Sequence, residues 1–230
     1  ICSTFTDVLI TINKEDYEFA KKYMNTKRIE YIPGVGIDTK NFILEDFDKA
    51  TKRRELGIAD ADFMIISVGE LNENKNQEVV IRAIAKMKRD NIHYFIAGKG
   101  DKEQYLIDLA RKLGVNLHLL GYRTDIVELL NTADLYVFPS KREGLSVALM
   151  EAMAAGLPCV ASKIRGNVDL IDEGKGGYLF EPTDVDGFVK GIKSYVKSMG
   201  LYNQTKIKDF DVDYVINKTK QIYFDREKES

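Results

Sequence analysis

The residues that could do chemistry gather in one stretch, ADLYVFPSKREGLSVALMEAMAAGLPCVAS, residues 133–162. It carries two carboxylates, Glu143 and Glu151, placed around the start of a predicted helix. Leu135 to Phe138 reads as a buried strand closed by Pro139-Ser140, and residues 141–145 as a polar loop. Ser146 suits an N-cap, because its hydroxyl can accept from a free amide of the first helical turn. A helix over 147–155 follows, rich in strong helix formers. Gly156 and Pro158 end it, and 159–161 forms the next short strand. The helix mouth, the amides around Leu145 to Leu149, therefore offers unpaired donors to an anion, with Gly144, Leu145, Ser146 and Val147 as the candidate donor-binding residues. The helix dipole adds about 0.3–1 kcal/mol to that preference. A carboxylate facing a diphosphate would be repelled, so both glutamates should face hydroxyls. Glu151 can reach back toward the mouth because helical side chains lean toward the N-terminus.

The elements that must hold this unit recur along the chain. Residues 63–68 form a continuous apolar run, as a strand buried on both faces requires. Strands over 94–97, 117–120 and 135–138 follow it, separated by helices over 77–89, 102–113 and 125–131. This alternation predicts an α/β domain, a doubly wound parallel sheet of Rossmann-like type. Its ligands sit beyond the carboxyl ends of the strands. The loops found there carry Gly69, Glu70 and Lys75 after the first strand, Gly98 after the second, Tyr122 and Arg123 after the third, and Arg165 after 159–161. Lys75 is the only cation of its loop and so the candidate for a phosphate. Gly98-Lys99-Gly100 lacks the third glycine of a dinucleotide fingerprint and reads as a tight turn. The first strand is followed by Gly69 alone, which argues against an NAD enzyme.

In this setting, the order strand, PS, E-G, helix, second Glu, A-x-x-x-G-x-P resembles the E-x7-E signature of retaining glycosyltransferases with the GT-B fold, family four, the glycosyl transferases group 1. The words TINKED and IPGVGID, either side of a helix, resemble the end of that family's N-terminal domain and its hinge. The resemblance implies the C-terminal half of a GT-B fold. Residues 1–38 would be a remnant of the acceptor domain with the hinge, and 39–230 the nucleotide-sugar-binding domain. It implies that Glu143 meets the donor sugar and Glu151 the ribose, with Lys75 and the helix mouth on the diphosphate. Gly69, Glu70, Gly98, Tyr122, Arg123 and Arg165 would line the rest of the donor site. Where family members carry an Arg just after the strand's glycine, this chain has Glu70, which removes a charge-assisted contact worth about 1.5–3 kcal/mol.

The implied substrates are a nucleoside-diphosphate sugar, a UDP-sugar above all, and a saccharide or lipid-linked acceptor in cell-surface polysaccharide synthesis. No cofactor and no metal are implied. The expected place is the cytoplasm, at the inner face of the plasma membrane, with peripheral membrane contact through the missing N-terminal domain. Two rival classes stand beside this one: a non-catalytic nucleotide-sugar-binding module, and a nucleotide-sugar epimerase.

Composition sets the bounds. With 230 residues and a 44% hydrophobic fraction the chain can bury a sizeable core. Its 34 basic and 36 acidic side chains leave a formal charge of −2, which gives no bulk attraction for nucleic acid. No apolar run approaches the roughly 20 residues of a membrane span. Cys2 and Cys159 make no disulfide framework and fit a reducing compartment. The start at Ile1 looks cut from something longer. The basic run at 52–54 is expected to be a solvated face, and His93 and His118, each within a strand, belong to core or sheet surface. Four Asp-x-Asp copies are noise. Helices are expected over 184–197 and 212–224, the last leaving an exposed apolar patch.

Overall fold

The computed structural model describes residues 2–229, with side-chain surroundings for 3–224. At the N-terminal side β1 (Val8–Thr11), α1 (Lys14–Tyr23) and β2 (Arg28–Tyr31) build a two-stranded parallel sheet. β2 was not legible in the sequence: RIEY is four residues long, and half of it is the ion pair Arg28–Glu30 at 2.7 Å. The punctuated stretch after it is irregular apart from a short 3-10 turn at Thr39–Phe42. α2 (Lys49–Glu55) leads into the main sheet.

That sheet contains β3 (Phe63–Val68), β4 (Ile92–Ala97), β5 (Asn116–Gly121), β6 (Leu135–Phe138), β7 (Cys159–Ser162) and β8 (Gly177–Phe180) in the order β5-β4-β3-β6-β7-β8, all parallel. The connecting helices are α3 (Glu78–Met87), α4 (Glu103–Leu113), α5 (Ile126–Thr132), α6 (Val147–Ala154) and α7 (Asn167–Leu170). α8 (Val185–Ser194), α9 (Ser198–Lys206) and α10 (Val212–Glu229) follow the last strand. Alternate residues of the strands feed two cores. Met64, Ile66, Phe95, Tyr136, Phe138 and Cys159 pack on the α5–α6 side, while Ile65, Tyr94, Ile96, Val137 and Val160 pack against α3, α4 and α8. Burial on both faces is why these strands read as unbroken apolar runs rather than as alternation.

The helix expected over 184–197 is α8, which ends three residues early, and a further helix, α9, follows at Ser198–Lys206 where none is expected. α8 stops at Ser194, and α9 was missed because SMGLYNQTK has weak helix propensity. Tertiary contact overrides that weakness: buried Asn203 donates its amide to Leu157 O at 2.7 Å and Gly176 O at 2.8 Å. α10 turns Val215 and Ile222 onto Ile32, Val8 and Ile10 of the small sheet. Its other flank leaves Tyr214, Ile216, Tyr223 and Phe224 exposed, as expected of the last helix. Ile37 ties the irregular segment to the start of α10, donating to Phe210 O and accepting from Val212 N.

Candidate functional site

The winding of the sheet reverses between β3 and β6. From β3 the chain proceeds outward through β4 to β5, and from β6 through β7 to β8. The loops leaving β3 and β6 diverge at that point, which opens a crevice at the carboxyl edge. The loop after β3 carries Lys75 and the loop after β6 carries Glu143, and the two side chains meet there, Lys75 Nζ to Glu143 Oε1 at 2.7 Å. Both are largely sheltered, at 22% and 18% side-chain exposure. The ammonium also stands 5.2 Å from the Phe138 ring centroid, over its face.

α6 begins as its sequence dictates. Ser146 caps it, its hydroxyl accepting from Leu149 N at 3.3 Å. That bond occupies the Leu149 amide, so the anion-facing mouth is narrower than the sequence suggests; Val147 and Ala148 keep amides with no intrahelical partner. Gly156, at φ +80°, sits in the left-handed conformation that stops the helix. In the second turn Glu151 is half-buried, and its carboxylate has no hydrogen-bond partner among the described residues. Burial raises its pKa above the ordinary carboxylate value.

A cleft of about 840 Å³ runs beside this mouth, bounded on one wall by Ile12, Asn13 and Asp16 and on the other by Arg142, Glu143, Gly144, Leu145 and Arg165. Arg165 spans it: its guanidinium pairs with Asp16 and lies 4.0 Å from Glu15. Asp169, next to it on α7, accepts from Lys14 N at 2.9 Å. The β7–α7 loop is thereby fastened to α1.

The remaining sequence candidates form a row along the same edge. Gly69 lies against the Lys75 side chain, and Gly98 lies against Gly69, where a Cβ would come within 1.9 Å of the Gly69 carbonyl oxygen. Any larger residue at 98 would part β3 from β4 at the crevice. Gly98 N in turn donates to Gly121 O at 2.8 Å. Glu70 is exposed, and its carboxylate accepts from Asn72 at 2.8 Å. Tyr122 is 78% exposed. Arg123 turns away to a two-pronged pair with Asp125, at 2.7 and 2.5 Å. The structure thus brings Glu143, Gly144, Leu145 and Arg165 to the cleft, with Lys75 reaching it through its ion pair with Glu143, Ser146, Val147 and Glu151 behind them at the start of α6, and Gly69, Gly98 and Tyr122 further along the same edge.

Two features away from the crevice also differ from or extend the sequence reading. The basic run is no solvated face: Lys52 and Arg53 are buried, and only Arg54 of the three is exposed. His93 and His118 do lie on the sheet surface, hydrogen-bonded to each other at 3.0 Å, with Asp62 3.4 Å from His93. Among the described residues no group of three or more His, Cys, Asp and Glu side chains converges to hold a metal ion.

A fold wound in this order, with its candidate site at the switch point, is the C-terminal half of a GT-B glycosyltransferase fold. The chain belongs to the family described as glycosyl transferases group 1, whose model matches residues 48–208. It is 36% identical to EpsD of Bacillus subtilis over 197 residues, 83% of this chain and 52% of that protein. It is 30% identical to the UDP-Gal:alpha-D-GlcNAc-diphosphoundecaprenol alpha-1,3-galactosyltransferase of Escherichia coli, over 96% of this chain and 60% of that one. Among solved structures, Alr3699/HepE of Anabaena, crystallised with UDP and glucose, superposes with a TM-score of 0.81 at 22% identity, covering 94% of this chain and 62% of that one. That likeness speaks for the fold. The chain spans between half and two thirds of the length of these relatives.

Proposed function

We propose that this chain is the donor-binding part of a retaining glycosyltransferase that moves a sugar from a UDP-sugar to a saccharide or lipid-linked acceptor in cell-surface polysaccharide synthesis. The observation that carries the reading is the meeting of Lys75 and Glu143 at the switch point, with Glu151, without a partner among the described residues, one turn into the helix behind them. A diphosphate entering the crevice takes Lys75 and the α6 mouth as its positive partners, and charge developing on it as the sugar departs is stabilised by groups already in place. Glu143, released from Lys75, turns to the sugar hydroxyls, and Glu151 to the ribose. No metal enters this scheme.

Residues 1–38 are read as part of the acceptor domain with its hinge and 39–230 as the nucleotide-sugar domain. The enzyme is placed in the cytoplasm, at the inner face of the membrane when its acceptor is lipid-linked. Two relatives support the acceptor class by name. One is the Escherichia coli galactosyltransferase acting on a diphosphoundecaprenol-linked sugar. The other is the lipopolysaccharide glucosyltransferase WaaG of the same species, 30% identical over 77% of this chain.

Calorimetric titration of the chain with UDP, GDP, ADP and NAD, repeated on Glu151→Ala, tests the reading. Saturable binding of UDP is expected, weakened about tenfold by the substitution, the scale of one charged hydrogen bond. Binding of none of the nucleoside diphosphates, or of UDP with unchanged affinity in the variant, overturns it. A silent binding module is the second reading, favoured by the exposed carboxylate of Glu70 beside the crevice. Nucleotide binding without transfer by the full-length protein would select it.

A further inference from the structure

Asn76 follows Lys75 directly and has no part in the donor scheme above. Its backbone is left-handed, φ +54°, a conformation shared by one other non-glycine residue among those described. Asparagine tolerates that conformation better than most residues, yet it persists only where the surroundings hold it. Here the side chain supplies the hold. It is buried, 8% exposed, and its amide nitrogen donates to Pro139 O at 3.0 Å and Pro182 O at 2.8 Å. Both hydrogens of the amide are thereby used. Those carbonyls belong to the loops leaving β6 and β8, so one side chain joins three loops of the carboxyl edge.

Neighbouring bonds run the same way. Asn74 donates its side chain to Arg142 O at 2.9 Å and accepts from Lys141 N at 2.8 Å, while Lys75 N donates to Asn72 Oδ1 at 2.9 Å. The Lys75 loop is therefore stitched to the Glu143 loop on both sides of Lys75, through partly buried Asn74 and buried Asn76. A helix start needs none of this, since capping α3 requires no bond to another loop.

We propose that Asn76 is a positioning residue, whose side-chain amide sets the separation of the β3 and β6 loops and so registers Lys75 for a donor diphosphate. The proposal rests on the donor reading and goes beyond it by assigning a role to a residue that touches no substrate. Asn76→Gly keeps the left-handed backbone and removes the amide. Asn76→Asp keeps the shape and, ionised, presents acceptors to two carbonyls.

The test is titration with UDP, GDP and ADP of the unsubstituted chain, Asn76→Gly, Lys75→Ala and the double variant, with thermal unfolding of each. Asn76→Gly is expected to weaken nucleotide binding about five- to tenfold while remaining folded at the titration temperature. The double variant is expected to bind no more weakly than Lys75→Ala alone, because a residue acting through Lys75 has nothing left to position. Asn76→Asp gives the same comparison if Asn76→Gly does not fold. Wild-type affinity in the Asn76 variants, or losses that add in the double variant, overturns the proposal and leaves the donor reading standing. Weakening by Asn76→Gly with none by Lys75→Ala overturns it as well. Failure of the unsubstituted chain to bind any of the three removes both.

Discussion

Glu151 sits in the second turn of α6, half-buried and with no hydrogen-bond partner for its carboxylate among the described residues, and burial lifts its pKa above the ordinary carboxylate value. The direction of the shift sets the sign of its effect on stability. The folded chain holds the proton more tightly than the unfolded chain, so stability falls as pH rises through 4.5 and levels off once the raised pKa is passed. Glu151→Gln carries no such loss. Thermal unfolding of the two proteins across the acid-to-neutral range is expected to show the glutamine variant gaining steadily on the native chain and then holding a constant lead. Parallel profiles would mean that the carboxylate is solvated. The same substitution removes the ribose contact proposed above, so a gain in stability should accompany a loss of nucleotide affinity. The pair Glu143 and Glu151 was legible in the sequence because both flank one helix start. The partner of Glu143 was not, since Lys75 lies 68 residues away and only the sheet order brings it near.

At the scale of elements, periodicity and punctuation announced β3 to β7 and the helices α3 to α6 between them, since each buried face leaves its own spacing in the sequence. The fate of α2 was hidden. Its basic run looks solvated by itself, yet Lys52 reaches Asp125 at 2.8 Å and Glu128 at 2.6 Å, and Arg53 bonds the Ala59 and Thr132 carbonyls and pairs with Asp134 at 3.3 Å. Their acceptors lie more than 70 residues on in the chain for Lys52, and no local pattern signals them. Arg123 and then Lys52 hold the Asp125 carboxyl well below the usual carboxylate range, despite its partial burial. A depressed carboxylate contributes stability above its unfolded pKa and loses that contribution as pH falls. Lys52→Ala is therefore expected to cost about 1–2 kcal/mol at neutral pH, discounted from a fully buried pair because Glu128 is half exposed. The cost should shrink at about pH 3, where the unfolded chain protonates its carboxylates while folded Asp125 stays ionised. Urea unfolding of both proteins at the two pH values measures this; a cost independent of pH would assign the loss to packing of the lysine stem.

On the scale of the whole molecule the two walls of the cleft are unequal. The wall that would receive a donor is built from loops of a six-stranded sheet buried on both faces, and it carries Glu143, with Lys75 bonded to it from behind, and the α6 mouth. The opposite wall offers Ile12 and Asn13 from the turn after β1 and Asp16 from α1, beside a sheet of two parallel strands that rests on α10 through Ile32, Val215 and Ile222. Asp16 is already engaged by Arg165, which leaves little on that side to orient an acceptor. Transfer needs both substrates held at once in reacting geometry, and most of the rate gained by proximity is lost when one of them is free to tumble. Donor binding needs only the first wall. With the chain spanning 52% to 60% of its curated relatives, the expectation is that these 230 residues bind UDP with full affinity and transfer nothing. Incubation with labelled UDP-galactose or UDP-glucose and a diphospholipid-linked sugar, beside the full-length protein, measures both properties on one preparation. Transfer by the longer protein alone, at matched UDP affinity, would assign acceptor recognition to the part of the enzyme beyond Ile12, Asn13 and Asp16. Robust transfer by the shorter chain would instead show that these three residues and the Arg165 strap suffice to orient an acceptor.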